Sequence, residues 1–406
     1  MPSLTAALVI AALPLLGDVH VDADASGRGV LAWSGLRGST FIAQATEIQD
    51  GRRTAAIRTL WRTAGNVVVG DVDVAPSGAS AICFLERPRP RERAWHVRVV
   101  LRSASGHRWS RPYLVASPRT WAEAVDCGVD NAGNIVIAWT EGVRLRASAV
   151  SSSGVVEQSV TLGHDPEEPQ VEMTPSGVGL VGFATGAPET RRLYVAEKPP
   201  GGSWSSPLRT PATDEPVQGP VFAVGGDVGR YLAWNSGVGN FAVRLGQGAS
   251  LPLVPQTVAT DNAPSVTALG AGTRGDLILA YATHAWTPSA PGVSKLRARV
   301  ERPGAPLGPP TTLGVFAAYP IEARVAADGS GAIAWVAGTE ARPRIVARVL
   351  RRDGTWSRTR QLTRAGERTG LDLGIAASPG ATSTVAWSTD PFRGGPVTLR
   401  IARISG

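Results

Sequence analysis

The chain has 406 residues, of which 47 are Gly and 31 are Pro, with 43% hydrophobic and 18% charged residues. Turns are therefore frequent while core material is ample, which excludes disorder and a collagen-like chain, and no apolar run reaches the roughly 18–20 residues that a membrane-spanning helix needs. The net charge of +8 is carried by arginine spread along the whole chain, since only Lys198 and Lys295 are lysines and no block of five like charges occurs, so neither a basic arm nor a stripe for nucleic acid is expected.

Residues 1–17 read in two ways. Residues 4–16 form an apolar run of signal-peptide length, yet no Lys or Arg precedes it and no cleavage site stands out before Asp18. The other reading comes from the repeat that fills residues 18–406. Leu114 and Leu362, each in the last strand of a repeat, lie 25 residues before Trp139 and Trp387, and the same step back from Trp33 lands on Leu8. Residues 5–12 would then supply the strand that the last repeat lacks and remove an open sheet edge.

The repeat is an alternating strand, a short Gly-containing turn, and an apolar strand ending in a small residue followed by an aromatic one. The aromatics are Trp33, Phe84, Trp139, Phe183, Trp234, Tyr281, Trp335 and Trp387, spaced 44–55 residues apart, and before them stand Ala32, Cys83, Ala138, Gly182, Ala233, Ala280, Ala334 and Ala386. The turns at residues 25–27 (Ala-Ser-Gly), 76–78 (Pro-Ser-Gly), 131–133 (Asn-Ala-Gly), 175–177 (Pro-Ser-Gly) and 327–329 (Ala-Asp-Gly) are hairpin signals. A third and a fourth strand follow, as at residues 344–350 and 355–362. Four strands per unit, no helical period and a spacing near 50 residues predict an all-β chain: a β-propeller of about eight four-stranded antiparallel blades. In such a ring the aromatics fill the seams between blades, and truncation of one to Ala should cost about 3–5 kcal/mol.

The first strand of each unit carries the least generic pattern. Even offsets back from the aromatic are apolar, while odd offsets carry Asp22, Asp71, Asp73, Asp126, Glu172, Glu322 and Asp372, with His20, Gln170 and Arg324 among them. The first strand of a propeller blade is innermost, so these groups should converge on the central channel. A ring of carboxylates there could hold Ca²⁺ or an amine-bearing ligand; the plainer expectation is a water-filled channel whose acids are solvated or paired to Arg. Cys83 and Cys127 read as small buried hydrophobes, with a disulfide between neighbouring units left open.

The second turn of several units resembles the Asp-box of sialidase-like propellers, Ser-x-Asp-x-Gly-x-Thr-Trp. Residues 103–109 keep its Ser, Gly and Trp with Ser105 in place of Asp; residues 352–356 keep Asp, Gly, Thr and Trp with one residue deleted; residues 201–204 keep the turn and the aromatic. The resemblance implies the propeller fold. Sialidases add an Arg triad, a Tyr–Glu pair and an Asp acid/base. No Arg-Ile-Pro element stands in the first unit, and Tyr319 with Glu322, the nearest pairing, would point to opposite faces of a regular strand. The five histidines show no paired metal spacing, and neither a nucleophile elbow nor a P-loop occurs. These observations lead to the expectation of a monomeric, secreted or cell-envelope ring that binds a glycan or protein partner through its blade loops, residues 88–93 and 286–294 foremost, without catalysis. The alternative is a divergent sialidase-type glycoside hydrolase.

Overall fold

The computed structural model describes residues 8–12, 15–106, 108–187, 189–210, 216–227, 229–236, 242–251, 253–260, 265–283, 294–315, 318–339, 342–364, 367, 369–389 and 398–406. Eight antiparallel sheets follow one another along the chain, and no helix occurs among the described residues. Their inner strands are Leu15–Ala23, Asn66–Val74, Ala122–Val129, Pro166–Met173, Val217–Gly225, Ser265–Ala271, Ala318–Val325 and Thr369–Ser378. Each inner strand touches the next in chain order and the eighth touches the first, which is the closed ring of an eight-bladed propeller. The 286–294 loop lies outside the described residues apart from Ser294.

Each inner strand turns through a tight hairpin into the second strand. In blade 1 the Gly27 N–H donates to the Asp24 carbonyl at 3.0 Å and the Asp24 N–H to the Arg28 carbonyl at 2.8 Å. Gly27, with φ of +79°, sits in the left-handed region that suits glycine, as does Gly78 at +90°. Blade 1 has a fifth strand, because Arg52–Arg53 and Arg58–Thr63 both pair with Thr40–Gln49. The last blade is completed from the other end of the chain. Leu8–Ala12 pairs antiparallel with Thr398–Ser405, Leu8 opposite Ile401 and Ala12 opposite Thr398.

The small-then-aromatic step explains the ring. Adjacent residues of a strand face opposite ways. In every second strand the aromatic therefore faces the preceding blade and the small residue the following one. Phe84 packs among Ala32 and Ala43 of blade 1, Tyr281 among Ala233 and Leu245 of blade 5, Trp335 against Ala280 and Ala298 of blade 6, and Trp387 against Ala334 and Ala347 of blade 7. The seam that closes the ring follows the same rule, with Trp33 of blade 1 on Ala386 and Ile401 of blade 8. All eight aromatics are at most 2% exposed. The residue before each one is small because the next blade's ring occupies the space above it.

Candidate active site

The same repeat sets out the channel wall in two tiers. The inner-strand residue paired with the small residue forms the first tier: His20, Asp71, Asp126, Gln170, Val221, Ala268, Glu322 and Gly374. Two residues further on, on the same face, lies the second: Asp22, Asp73, Gly128, Glu172, Ala223, Gly270, Arg324 and Ala376. Neighbouring backbones crowd some of these places. A Cβ on Gly270 would stand 2.7 Å from the Ala323 carbonyl oxygen, and one on Gly128 would stand 2.9 Å from the Met173 nitrogen. The channel holds two adjoining cavities of about 180 and 280 Å³ that share Asp71, Glu172 and Arg324 in their walls, each several times the ~30 Å³ share of one water.

The acids expected at the channel do meet there, with one exception. Asp22, Asp71, Asp73, Asp126, Glu172 and Glu322 all line these cavities. Asp372 lies in the irregular stretch between Thr369 and Leu373, and its side chain is outside the described residues. The charged and amide groups occupy blades 1 to 4 and blade 7, while blades 5, 6 and 8 present only Val, Ala and Gly in both tiers.

Several of the acids have a structural task that the sequence pattern did not reveal. Asp22 of blade 1 accepts the Val74 N–H of blade 2 at 2.8 Å, Asp73 accepts the Val129 N–H of blade 3 at 2.6 Å, and Asp126 accepts the Val171 N–H of blade 4 at 2.8 Å. Gln170 continues the series, accepting the Phe222 N–H of blade 5 at 2.7 Å and donating to the Pro220 carbonyl at 3.0 Å. These staples satisfy backbone groups at the blade seams, where unpaired they would cost about 1–3 kcal/mol each. Polar residues recurring on the channel face of successive inner strands were the available signal for them.

Electrostatics then separates the acids. Burial, followed by the neighbouring Asp126 carboxylate, pushes Asp71 well above the carboxylate range, partly offset by His20, whose Nδ1 is 3.7 Å from Asp71 Oδ1. The Asp71 and Asp126 carboxyls interact in a way that raises Asp71 and lowers Asp126, so of the two Asp71 is the one that keeps its proton. Burial lifts Asp126 only to about 6, because Asp71 and the Val171 and Cys127 N–H groups donate to it. Asp73 is raised by burial and then by Asp22 and Glu172, and Asp22 is raised by burial against the pull of Arg324. Burial carries Glu172 to about 8 even though Arg324 opposes it. Glu322 is raised by burial against Arg324, whose Nη1 is 3.4 Å from Glu322 Oε2. Burial works against the charge of Arg324, but Glu322, Asp22 and Glu172 more than offset it and hold the guanidinium charged.

Among the described residues, no group of three or more His, Cys, Asp or Glu is arranged to hold a metal ion. The side chain of Tyr319 is outside the described residues, and a register shift between Ala318 and Ile321 interrupts the regular alternation between it and Glu322. The Asp-box-like turn at residues 352–356 is well formed: Asp353 Oδ1 accepts the Thr355 N–H at 2.8 Å and its hydroxyl at 2.7 Å.

No protein-family model matches the chain, and no curated protein matches it in sequence. Solved structures do match it in fold. The polysaccharide lyase Uly1 superposes with a TM-score of 0.54 over 99% of this chain and 99% of its own, at 10% identity. Prolyl oligopeptidase B from Galerina marginata gives a TM-score of 0.52 at 10% identity, covering 92% of this chain, and one of two prolyl endopeptidases gives 0.51 at 12%, covering 94%. This chain spans 55% of the length of either peptidase. At such identities the likeness is one of fold, and it supports the propeller without supporting the sialidase-like family. The expectation of a non-catalytic binding or scaffold ring is not supported, since the structures that share this fold are those of enzymes.

Proposed function

We propose that the protein is a carbohydrate-active enzyme that cleaves glycosidic bonds at its central channel by carboxyl acid–base chemistry. The observation that carries this reading is that Glu172 and Asp126 line one 280 Å³ cavity while their surroundings leave them in different protonation states at neutral pH. Two carboxyls so separated can divide the roles of acid and anion. Glu172, protonated below about pH 8, donates its proton to the glycosidic oxygen as the bond to the leaving sugar breaks. Asp126, ionised above about pH 6 and fixed by two backbone N–H groups, stabilises the positive charge that develops on the sugar ring. The Glu172 carboxylate then takes a proton from the incoming water, which restores the acid. Arg324 is paired with Glu322 and ringed by acids, so among the described residues lining the cavity no free cation faces a uronate carboxylate, and the cavity favours neutral or amine-bearing sugars.

Release of reducing ends from a panel of neutral, amino and uronate glycans tests this. Turnover of a neutral or amino glycan that falls at least ~100-fold in Glu172→Gln agrees with the proposal. Products with an unsaturated, ultraviolet-absorbing end would mark β-elimination instead, and no cleavage anywhere in the panel would remove the reading.

A further inference from the structure

The chain contains two cysteines in 406 residues, both free thiols, and the fold places them in one buried cluster. Cys83 lies on the second strand of blade 2 in the small-residue place, and Cys127 on the inner strand of blade 3 on the face opposite the channel. Both belong to the apolar seam between those blades, at 0% and 1% exposure, beneath Trp139. Cys83 Sγ donates to the Asp71 carbonyl at 3.9 Å, and each thiol lies near enough to the other to perturb its ionisation. The seam itself is tight here, since a Cβ on Gly70 of blade 2 would stand 2.2 Å from the Val125 carbonyl oxygen of blade 3. Above the thiols the two blades meet again through the Asp71–Asp126 pair: Cys83 stands opposite Asp71 in register, and the Cys127 N–H donates to Asp126 at 2.7 Å.

We propose that Cys83 and Cys127 form a disulfide that bolts blade 2 to blade 3 beside the channel acids. Thiols that face each other across one packed seam need side-chain rotation and an approach of the two strands to reach bonding distance, and the bond would close a loop containing the whole outer half of blade 2. The oxidant is a small-molecule disulfide such as oxidised glutathione. The two thiols lose two protons and two electrons to form one sulfur–sulfur bond, and the reagent takes them up as two glutathione thiols. Burial pushes Cys83 up to about 11 and Cys127 well above the ordinary thiol range, so little thiolate is present in the closed ring. The bond therefore forms as the blades assemble rather than on the finished surface, and once formed it is shielded from reductants. This inference stands on the seam alone and does not depend on the catalytic reading.

The test is to denature and refold the full chain in a buffer of oxidised and reduced glutathione, then unfold it in guanidinium and titrate thiols beside an intact-mass measurement. The proposal expects no free thiol, a mass lower by two hydrogens, a cross-linked peptide joining Cys83 to Cys127, and a melting temperature higher than that of reduced protein by roughly 3–5 °C. Cys83→Ala and Cys127→Ala should each melt at the same temperature with and without dithiothreitol, showing that the shift belongs to the bond. Two titratable thiols in protein that has refolded to the native melting transition, or glutathione adducts on both cysteines, would overturn it.

Discussion

Blades 1 to 4 and blades 5, 6 and 8 share one backbone plan but present different walls to the channel. The first arc supplies His20, Asp22, Asp71, Asp73, Asp126, Gln170 and Glu172; the second supplies Val221, Ala223, Ala268, Gly270, Gly374 and Ala376 at the same register positions. Among the described residues, blade 7 returns charge to the far side, with Glu322 and Arg324. The contrast teaches that the ring and the site are specified separately. The seams need a buried aromatic over a small residue, which every blade has, whereas the channel positions are free to vary and carry chemistry on one side.

The comparison is sharpened first by breaking the part both arcs share. Trp139→Ala in the polar arc and Trp335→Ala beside the smooth one should each cost about 3–5 kcal/mol, read as a fall in the denaturant midpoint, because both rings are fully buried in seams. A much smaller cost at either place would show that the seams are not equivalent.

The second way is pH, which acts only on the polar arc. Asp126 and Glu172 have folded pKa values, about 6 and about 8, above those of ordinary unfolded carboxyls. The protonated form is therefore the one that folding favours. Their contribution to stability should be complete below about pH 4, where both are protonated in both states, and should be lost as pH rises to about 6 for Asp126 and about 8 for Glu172, by up to about 1.4 kcal/mol per pH unit for each group. Glu172→Gln should flatten the upper part of this slope in thermal melts. An unchanged slope would mean that Glu172 is ionised at neutral pH.

The third and smallest effect concerns the staples. Gln170→Ala removes both of its bonds to blade 5 and should cost about 1–2 kcal/mol, with faster hydrogen exchange at the Phe222 N–H, its former donor. Unaltered exchange there would show that water replaces the amide without loss.

Much of the fold was legible because the small-then-aromatic step recurs at every seam, and counting back from each aromatic worked because the hairpin between it and the channel residues contains no irregularity. Each inner strand shifts register just before its first channel residue, as between Val69 and Asp71 or Glu167 and Gln170. Parity therefore held for Asp71, Asp126 and Glu172 and gave no guide to Asp372. The division of the acids between stapling and chemistry was not legible. Asp73 and Glu172 look alike in sequence, and only the position of the next blade's backbone shows that Asp73 is bonded to the Val129 N–H. The meeting of Cys83 with Cys127 depends likewise on the packing of one blade on its neighbour.

The most direct test of a channel with chemistry on one side is kcat/KM on the best-cleaved glycan for two variants measured together, Glu172→Gln in the polar arc and Val221→Ala in the smooth one. The account predicts a loss of about 10²–10⁴-fold for the first and a change within a few-fold for the second. Equal losses in both, or full activity in Glu172→Gln, would contradict it.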